Sequence, residues 1–333
     1  MSGKPGVGIK GLGAAVPDTV VTNDDLIKRG LDTSDEWIKS RTGIAERRIA
    51  GPQTAASDLA TEAGLKALRA AGLSAADIDL IIVGTATSDY LLFPSTACLV
   101  QHKIGCRQVA AFDVSAACSG FTFALATAEM YLRSGLYQHA LVVGVDVLSK
   151  WVDWTDRSIC VLFGDGAGAV VLGPVRPGYG ILHSRLYSDG SGENLLVSPA
   201  GGSREPLSHQ ILDAGRHFAT MDGKAVFKFA TQVITKTVED GLLAAGLQKS
   251  DIKLLALHQA NWRITQYAAE KLELKPDQVG SNIHKYGNTS AASIPLLLSD
   301  YQGQLEDGDI VVALGFGAGL TWGVNVIRWG GRS

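Results

Sequence analysis

Runs of apolar residues, each four to seven positions long, recur along this chain and predict buried β-strands. The runs show little polar alternation, which is typical of sheets that are covered on both faces. Longer segments without helix breakers, such as residues 121–133, lie between them and predict helices. The predicted strands are residues 80–83, 109–114, 140–144, 167–172, 254–257, 310–314 and 321–327.

An internal repeat predicts a duplicated fold. Residues 70–80 and 244–254 are identical at seven of eleven positions, at an offset of 174 residues. The same offset places residues 115–119 over residues 289–293. Two matches at one offset favour a layered α/β fold made of two α/β halves, residues 1–174 and 175–333. A stretch rich in Gly, Ser and Pro, from about residue 188 to 221, is expected to be a loop or flap.

Composition and charge exclude several classes of protein. The chain has 333 residues, of which 46% are hydrophobic and 19% charged, as in a globular protein. A net charge of −3 gives no reason to expect nucleic-acid binding. We expect no membrane span and see no signal peptide. The four irregularly spaced cysteines argue against a metal knuckle, and free thiols suggest the cytoplasm.

Cys118 is the first candidate for chemistry. It follows the apolar stretch 109–114 and precedes the predicted helix 121–133, which indicates a thiol at or near a helix N-terminus. The partial positive charge and free N–H groups of that position favour a thiolate, which is the nucleophilic form. The alternative is a small buried hydrophobic residue, which is the usual environment of a free cysteine.

The second half of the chain supplies two partners for this thiol. His258 directly follows the predicted strand 254–257, and strand ends are the usual location of sites in α/β sheets. Asn288 opens the loop whose repeat partner contains Cys118. Because equivalent strand ends and helix starts of two related halves can converge, we expect Cys118, His258 and Asn288 to meet. A structural histidine and a turn or helix-cap asparagine are the alternatives.

The glycine-rich segments do not indicate a nucleotide cofactor. Residues 164–168 and 315–319 lack the G-x-G-x-x-G spacing, and no dinucleotide-binding βαβ unit follows them. They are better suited to tight turns, and in residues 316–320 a backbone N–H could point at a reacting carbonyl. A cysteine protease is a further hypothesis, because His258 lies 140 residues after Cys118, but the local protease signature is missing.

Several ordered motifs resemble those of the 3-oxoacyl-[acyl-carrier-protein] synthase III family, a group of thiolase-like condensing enzymes. The resemblance covers essentially the whole chain and implies a thiolase-like fold, with the duplicated halves forming five layers, αβαβα. The motifs are DTSDEWI at 32–38, RTGI at 41–44, FPSTAC at 93–98, AACSG at 116–120, FGDGAGA at 163–169, HQAN at 258–261 and GNTSAAS at 287–293.

The resemblance implies a decarboxylative condensation of an acyl-CoA with a malonyl group on acyl carrier protein. Cys118 would accept the acyl group, while His258 and Asn288 would donate hydrogen bonds to the enolate formed as CO₂ departs. The N–H groups of Cys118 and Ala318 would form the oxyanion hole, although the family usually has glycine at position 318. No metal or cofactor is implied, because acyl-CoA is a substrate.

The resemblance also implies binding residues and partners. A short starter such as acetyl-CoA is expected, because the large ring of Phe93 matches a residue that reaches the partner subunit's acyl pocket in a homodimer. Glu270 replaces a lysine often found in the carrier-protein docking patch, which suggests a weaker or shifted patch. The CoA site would contain Thr33, Trp37, Arg41, Arg157 and Asn261, and the docking patch Lys228, Arg263 and Lys271.

Related reactions are alternatives to this decarboxylative condensation. A priming or condensing enzyme of polyketide or quinolone synthesis, or an enzyme similar to 3-hydroxy-3-methylglutaryl-CoA synthase, would share the acylated cysteine and differ in the second substrate. A scaffold without catalytic activity is disfavoured, because all three reacting positions are intact.

Overall fold

The strands form two large sheets and two small ones within residues 5–331, the part of the chain that the computed structural model describes. Most coincide with the apolar runs of the sequence. In chain order they are β1 (Gly6–Ala15), β2 (Val20–Thr22), β3 (Glu46–Arg48), β4 (Leu80–Gly84), β5 (Ala110–Val114), β6 (Ala140–Asp146), β7 (Gly166–Val175), β8 (Gly180–Ser188), β9 (Leu196–Val197), β10 (Thr220–Met221), β11 (Ile252–Leu257), β12 (Ile310–Gly317) and β13 (Thr321–Arg328).

The two large sheets have related topologies. The first has the order β1-β7-β6-β4-β5, with β4 parallel to both β5 and β6 and with β7 antiparallel to its neighbours. The second has the order β11-β12-β13-β8, with β11 parallel to β12 and the remaining pairs antiparallel. In each sheet, therefore, a parallel pair is followed by an antiparallel return strand.

Helices pack on both faces of these sheets and create five layers. Helices α3 and α4 cover the outer face of the first sheet, α5 and α10 lie between the sheets, and α7 and α8 cover the second sheet. The αβαβα arrangement that the family resemblance implied is therefore confirmed. The helices are α1 (Asn23–Lys28), α2 (Asp35–Thr42), α3 (Ala56–Ala71), α4 (Thr96–Ile104), α5 (Gly120–Arg133), α6 (His209–Asp213), α7 (Gly223–Ala244), α8 (Trp262–Leu272), α9 (Ile283–Tyr286) and α10 (Ser293–Tyr301).

Burial explains why the apolar runs become strands. Every residue of β4, β6 and β12 is buried, because helices cover both faces of these central strands. Each fully buried Val, Ile or Leu contributes about 1.5–3 kcal/mol relative to an exposed one. Strand β5 differs, since it lies at the edge of the first sheet and its residues are exposed or only partly buried. No helix of the described residues has the length and apolarity that a membrane span needs.

The structure corrects the register of the internal repeat. The 3₁₀ turn Ala75–Asp77 recurs at Lys249–Asp251, which preserves the offset of 174 residues. The turn Ala117–Ser119 recurs at Ser290–Ala292, one residue short of that offset. The prediction that both matches share one offset is therefore wrong, because the second copy is one residue shorter between the two sites. Cys118 accordingly corresponds to Ala291 and not to Ala292.

The boundary between the halves, near residue 174, stays a proposal. The strands of the first large sheet lie within residues 6–175, and those of the second within residues 180–328. The expected loop at about 188–221 is mostly irregular and contains only the short elements β9, α6 and β10.

Candidate active site

Cys118 lies where the sequence placed it, in a 3₁₀ turn directly before a helix. The turn is Ala117–Ser119, and α5 begins at the next residue, Gly120. Ala117 adopts a left-handed backbone with φ of 45°, an uncommon conformation for a residue with a side chain. This sharp turn presents the Cys118 side chain at the end of the helix that lies between the two sheets.

The thiol of Cys118 is buried and protonated in the resting protein. Burial raises the pKa of this thiol to about 12, and the nearby Asp146 carboxylate adds to the increase, whereas the hydrogen bond from Ser290 opposes it. Ser290 Oγ lies 3.4 Å from Cys118 Sγ. The prediction that the helix N-terminus would favour a thiolate is therefore wrong for the resting state, because loss of hydration outweighs the local donors.

The raised pKa predicts the pH dependence of alkylation at Cys118. Because only the thiolate reacts, and because its fraction rises about tenfold per pH unit below the pKa, labelling by iodoacetamide should accelerate continuously from about pH 7 to pH 10. Peptide mass spectrometry measures the rate, with the exposed thiol of Cys98 in the same sample as a control for the reagent. A plateau below about pH 9 would contradict the raised pKa.

His258 directly follows β11, as predicted, and its ring is buried. Its Nδ1 lies 2.7 Å from Ser293 Oγ, at the start of α10. The ring of Phe316 packs edge-on against the imidazole, with 5.1 Å between the centroids. Burial lowers the pKa of His258 to about 3, so the imidazole is neutral at physiological pH. A neutral imidazole can donate a hydrogen bond from one nitrogen while the other accepts one.

Asn288 is held by its own loop. Its backbone N–H donates to Leu162 O at 2.8 Å, and its carbonyl accepts from Gly164 N at 3.0 Å, which joins it to Phe163 in a short parallel bridge. Its side-chain Oδ1 accepts from Ser290 N at 2.8 Å. Because the oxygen of the amide is occupied, the Nδ2 donors are the part left for a substrate.

The loop that contains Ala318 is fastened to the nucleophile turn. Thr321 Oγ1 lies 3.0 Å from Ala116 O and 3.2 Å from Ser119 Oγ, and Ser119 Oγ donates to Thr321 O at 3.0 Å. A Cβ on Gly317 would lie 2.7 Å from Cys118 Cβ, so only glycine permits this approach. Ala318 does not have a positive φ, so an alanine is compatible with the backbone of this loop.

Cys118, His258 and Asn288 line one cavity of about 930 Å³. All three are buried at its inner end, whereas Arg41 and Arg263 line it and are exposed, which marks its mouth. The convergence of the two halves that the repeat predicted is thus observed. An acyl group on Cys118 would therefore lie in the same cavity as the donors of the other two side chains.

The predicted CoA residues fall into two groups. Trp37, Arg41 and Asn261 line the cavity, and Asn261 also caps α8 and donates to Arg41 O at 3.0 Å. Arg157 lies at the rim, with its guanidinium 5.3 Å from the centre of the Trp37 ring and a hydrogen bond to the carbonyl of Asp32. Trp37 and Arg157, both predicted to bind CoA, therefore contact each other across the rim. Thr33 does not line the cavity.

The predicted docking residues lie on the packed helices α7 and α8. Lys228, Arg263 and Lys271 are all exposed, and the Arg263 guanidinium lies 5.7 Å from the centre of the Phe227 ring, at the cavity mouth. Phe93 is 79% exposed and does not line the cavity of its own chain.

Three contacts around the site were missed by the sequence reasoning. Ser290 contacts Cys118, and Ser293 contacts His258, although both serines lie in a motif that had been recognised. Asp146 is fully buried behind the turn, where it accepts hydrogen bonds from Thr87 Oγ1 and from the Ala291 N–H. The small polar residues of GNTSAAS were the available signal, but their partners lie on distant segments.

Comparisons with known proteins agree with this geometry. Sequence models of 3-oxoacyl-[acyl-carrier-protein] synthase III and of its C-terminal part match residues 112–190 and 242–329. The chain is 50% identical over 331 residues, 99% of each chain, to beta-ketoacyl-[acyl-carrier-protein] synthase III of Caldanaerobacter subterraneus. Its fold is similar to that of 3-oxoacyl-[acyl-carrier-protein] synthase III from Aquifex aeolicus, with a TM-score of 0.89, 44% identity and coverage of 97% and 100%. The priming beta-ketosynthase of the R1128 polyketide pathway is similar at 32% identity, with a TM-score of 0.91 and coverage of 100% and 99%.

Proposed function

The chain belongs to the 3-oxoacyl-[acyl-carrier-protein] synthase III family, and we propose that Cys118, His258 and Asn288 carry out the family's reaction as one nucleophile and two hydrogen-bond donors. The protein is an acyltransferase that condenses an acyl-CoA starter with malonyl-[acyl-carrier-protein], which initiates fatty acid synthesis. The supporting observation is that these three side chains, contributed by both halves, line one buried end of a single cavity.

In the proposed first step, Cys118 becomes an acyl carrier. Its sulfur attacks the thioester carbonyl of acyl-CoA, and the carbonyl electrons move to the oxygen as the new S–C bond forms. The N–H groups of Cys118 and Ala318 would bind this oxyanion, a role supported by the contact of Gly317 with Cys118. Collapse of the intermediate breaks the bond to CoA, whose sulfur leaves with the proton lost by the thiol.

In the second step, His258 and Asn288 would bind the thioester carbonyl of the malonyl group. The C–C bond between the malonyl methylene carbon and the carboxylate breaks, and CO₂ leaves. The electron pair of that bond moves into an enolate, whose oxygen the two donors stabilise. The enolate carbon attacks the acyl carbonyl on Cys118, and the C–S bond breaks to give the 3-oxoacyl product. The Cys118 thiolate released in this step takes up a proton. The proposed steps require no cofactor or metal.

The mouth of the cavity is the proposed binding surface for both substrates. Arg41, Trp37, Arg157 and Asn261 would contact the nucleotide and pantetheine parts of CoA, and Arg157 would have to move from Trp37 to admit adenine between them. Thr33 is retained only as an outer contact, because it lies away from the cavity lining. The exposed cations Lys228, Arg263 and Lys271 would attract the acidic carrier protein.

A homodimer with a short starter is the finer part of the proposal. Strand β5 offers an unpaired edge, and the loop between β4 and α4 exposes an apolar group. Such edges and patches are typical of subunit interfaces. Phe93, in this loop, would reach the partner's acyl pocket and shorten it. The exposed apolar group is Tyr90, Leu91, Leu92 and Phe93.

The chain-length proposal is tested by comparing acyl-CoA starters. With acetyl-CoA and octanoyl-CoA as probes and malonyl-carrier protein as acceptor, we expect acetyl transfer to be favoured by at least about tenfold in kcat/KM. Phe93→Ala should reduce or invert that ratio, because it removes the ring that limits the pocket.

The control is Leu243→Ala, another exposed apolar side chain, on the outer helix α7. It should leave the ratio of the two starters unchanged. Light scattering should confirm that every variant keeps the subunit composition of the parent protein. A starter preference that is identical in the parent protein and in Phe93→Ala would refute the role given to this residue.

The comparisons bear differently on the cysteine protease hypothesis and on the hypothesis of a polyketide priming enzyme. The cysteine protease interpretation is wrong, because nearly the whole chain aligns with beta-ketoacyl-[acyl-carrier-protein] synthase III at 50% identity. The polyketide priming ketosynthase shares the fold at a lower identity of 32%. We also propose a cytoplasmic location, since the four cysteines of the described chain are free thiols.

A further inference from the structure

The hydroxyl of Ser293 contacts the Nδ1 nitrogen of the His258 ring. Ser293 Oγ and His258 Nδ1 are 2.7 Å apart, and both residues are buried. The same oxygen accepts a long hydrogen bond of 3.4 Å from the N–H of Gln259. Ser293 is the first residue of α10, so the helix between the two sheets fixes its position.

The number of hydrogen atoms decides the direction of this bond. A serine hydroxyl has one hydrogen to donate, and a neutral imidazole has one N–H. Within residues 5–331 the Ser293 hydroxyl has no acceptor other than His258 Nδ1. If Nδ1 carried the proton, it would donate to Ser293 Oγ, and the hydroxyl hydrogen would remain without an acceptor in a buried site, which costs free energy. The hydroxyl therefore donates to Nδ1, and the ring proton resides on Nε2.

We propose that Ser293 is a positioning residue that fixes His258 in the Nε2–H tautomer, so that this nitrogen is a permanent donor towards the substrate carbonyl. The inference rests on the proposed function, since it concerns the donor role assigned to His258. It adds a source for that role, because burial alone keeps the ring neutral without selecting which nitrogen holds the proton.

The fixed tautomer also implies that His258 acts in only one of the two half-reactions. A nitrogen that bears a proton cannot accept another, so Nε2 is unsuited to removing the proton of the Cys118 thiol. Ser293 should therefore matter for decarboxylation and little for acylation. A purely structural role in the fold would instead reduce both half-reactions together, since Cys118 and His258 line the same cavity.

The tautomer can be observed directly. Protein labelled with ¹⁵N in its histidines, compared with a His258→Ala sample to assign the signal, should show His258 protonated at Nε2. In Ser293→Ala, we expect a mixture of tautomers and a loss of malonyl-carrier protein decarboxylation of about 10-fold to 100-fold. Transfer of acetyl from acetyl-CoA to Cys118 should stay within about twofold. Ser293→Thr, which keeps the hydroxyl, should restore most of the decarboxylation.

A second buried serine, Ser57, provides the matched control. Ser57→Ala removes another buried serine hydroxyl, on the outer helix α3, and should change neither half-reaction. An Nδ1–H signal in the parent protein, or unchanged tautomer and decarboxylation in Ser293→Ala, would overturn the inference and leave the proposed function intact. Decarboxylation at the parent rate in His258→Ala would instead overturn the donor role in the proposed function itself.

Discussion

Cys118→Ala is expected to abolish acyl transfer, with a loss of at least about 10⁴-fold in condensation. The reason is that no other thiol of the described chain lines the cavity, so no other sulfur can form the acyl thioester. Intact-protein mass spectrometry after incubation with acetyl-CoA should show one added acetyl group on the parent protein and none on the variant. Replacement of a small side chain should leave the fold intact, as circular dichroism and the melting temperature can verify.

The remaining cysteines provide the controls for this result. Cys106 and Cys160 are buried and do not line the cavity, and Cys98 is exposed on α4. Alanine at Cys98 should change neither the added mass nor the rate of condensation. Acetylation that persists in Cys118→Ala and disappears in one of the other variants would show that the nucleophile has been misassigned.

The second large effect is expected at the two donors. His258→Ala and Asn288→Ala should each slow decarboxylation of malonyl-carrier protein by about 100-fold to 1000-fold, because the enolate oxygen loses a preorganised donor. Acetylation of Cys118 should change by no more than a few fold, since the oxyanion hole proposed for that step consists of backbone N–H groups. Release of labelled CO₂ measures the first quantity, and the mass added to the protein measures the second.

Two further variants sharpen this prediction. Asn288→Asp keeps the shape of the side chain but replaces its N–H donors with a second oxygen, so it should be at least as impaired as Asn288→Ala. His102→Ala, on the exposed surface of α4, is the control for loss of an imidazole and should behave like the parent protein. If both half-reactions fell equally in His258→Ala and Asn288→Ala, the assignment of these residues to the second step would be refuted.

The sequence was sufficient to predict a layered α/β fold and the meeting of Cys118, His258 and Asn288 in one cavity. Buried strands have sequences that are continuous apolar runs. The end of one such run, now β11, predicted that His258 lies at the end of a strand. The repeat then supplied a geometric reason for His258 and Asn288 to meet Cys118. These inferences succeeded because they depend on local pattern and on symmetry, both of which a single chain displays.

The pKa of the thiol and the contacts around it could not be predicted from the sequence pattern. The pKa of Cys118 depends on how completely two halves of the chain cover it, and the local helix signal pointed in the opposite direction. The contacts of Ser290 and Ser293 join segments 172 and 35 residues apart. The register error arose because Ala and Ser recur throughout both loops, so a shift of one residue still gives a plausible alignment.

The two equivalent turns contribute different groups to one site. Ala117 and Ser290 occupy matching positions and share a left-handed backbone, with φ of 45° and 50°. Only the first turn contains a thiol, since Ala291 stands in the second turn at the position of Cys118. A costly backbone shape retained without a nucleophile points to a different task for the second copy. That task is visible in the site: Ser290, the left-handed residue of the second turn, donates a hydrogen bond to the thiol that the first turn carries.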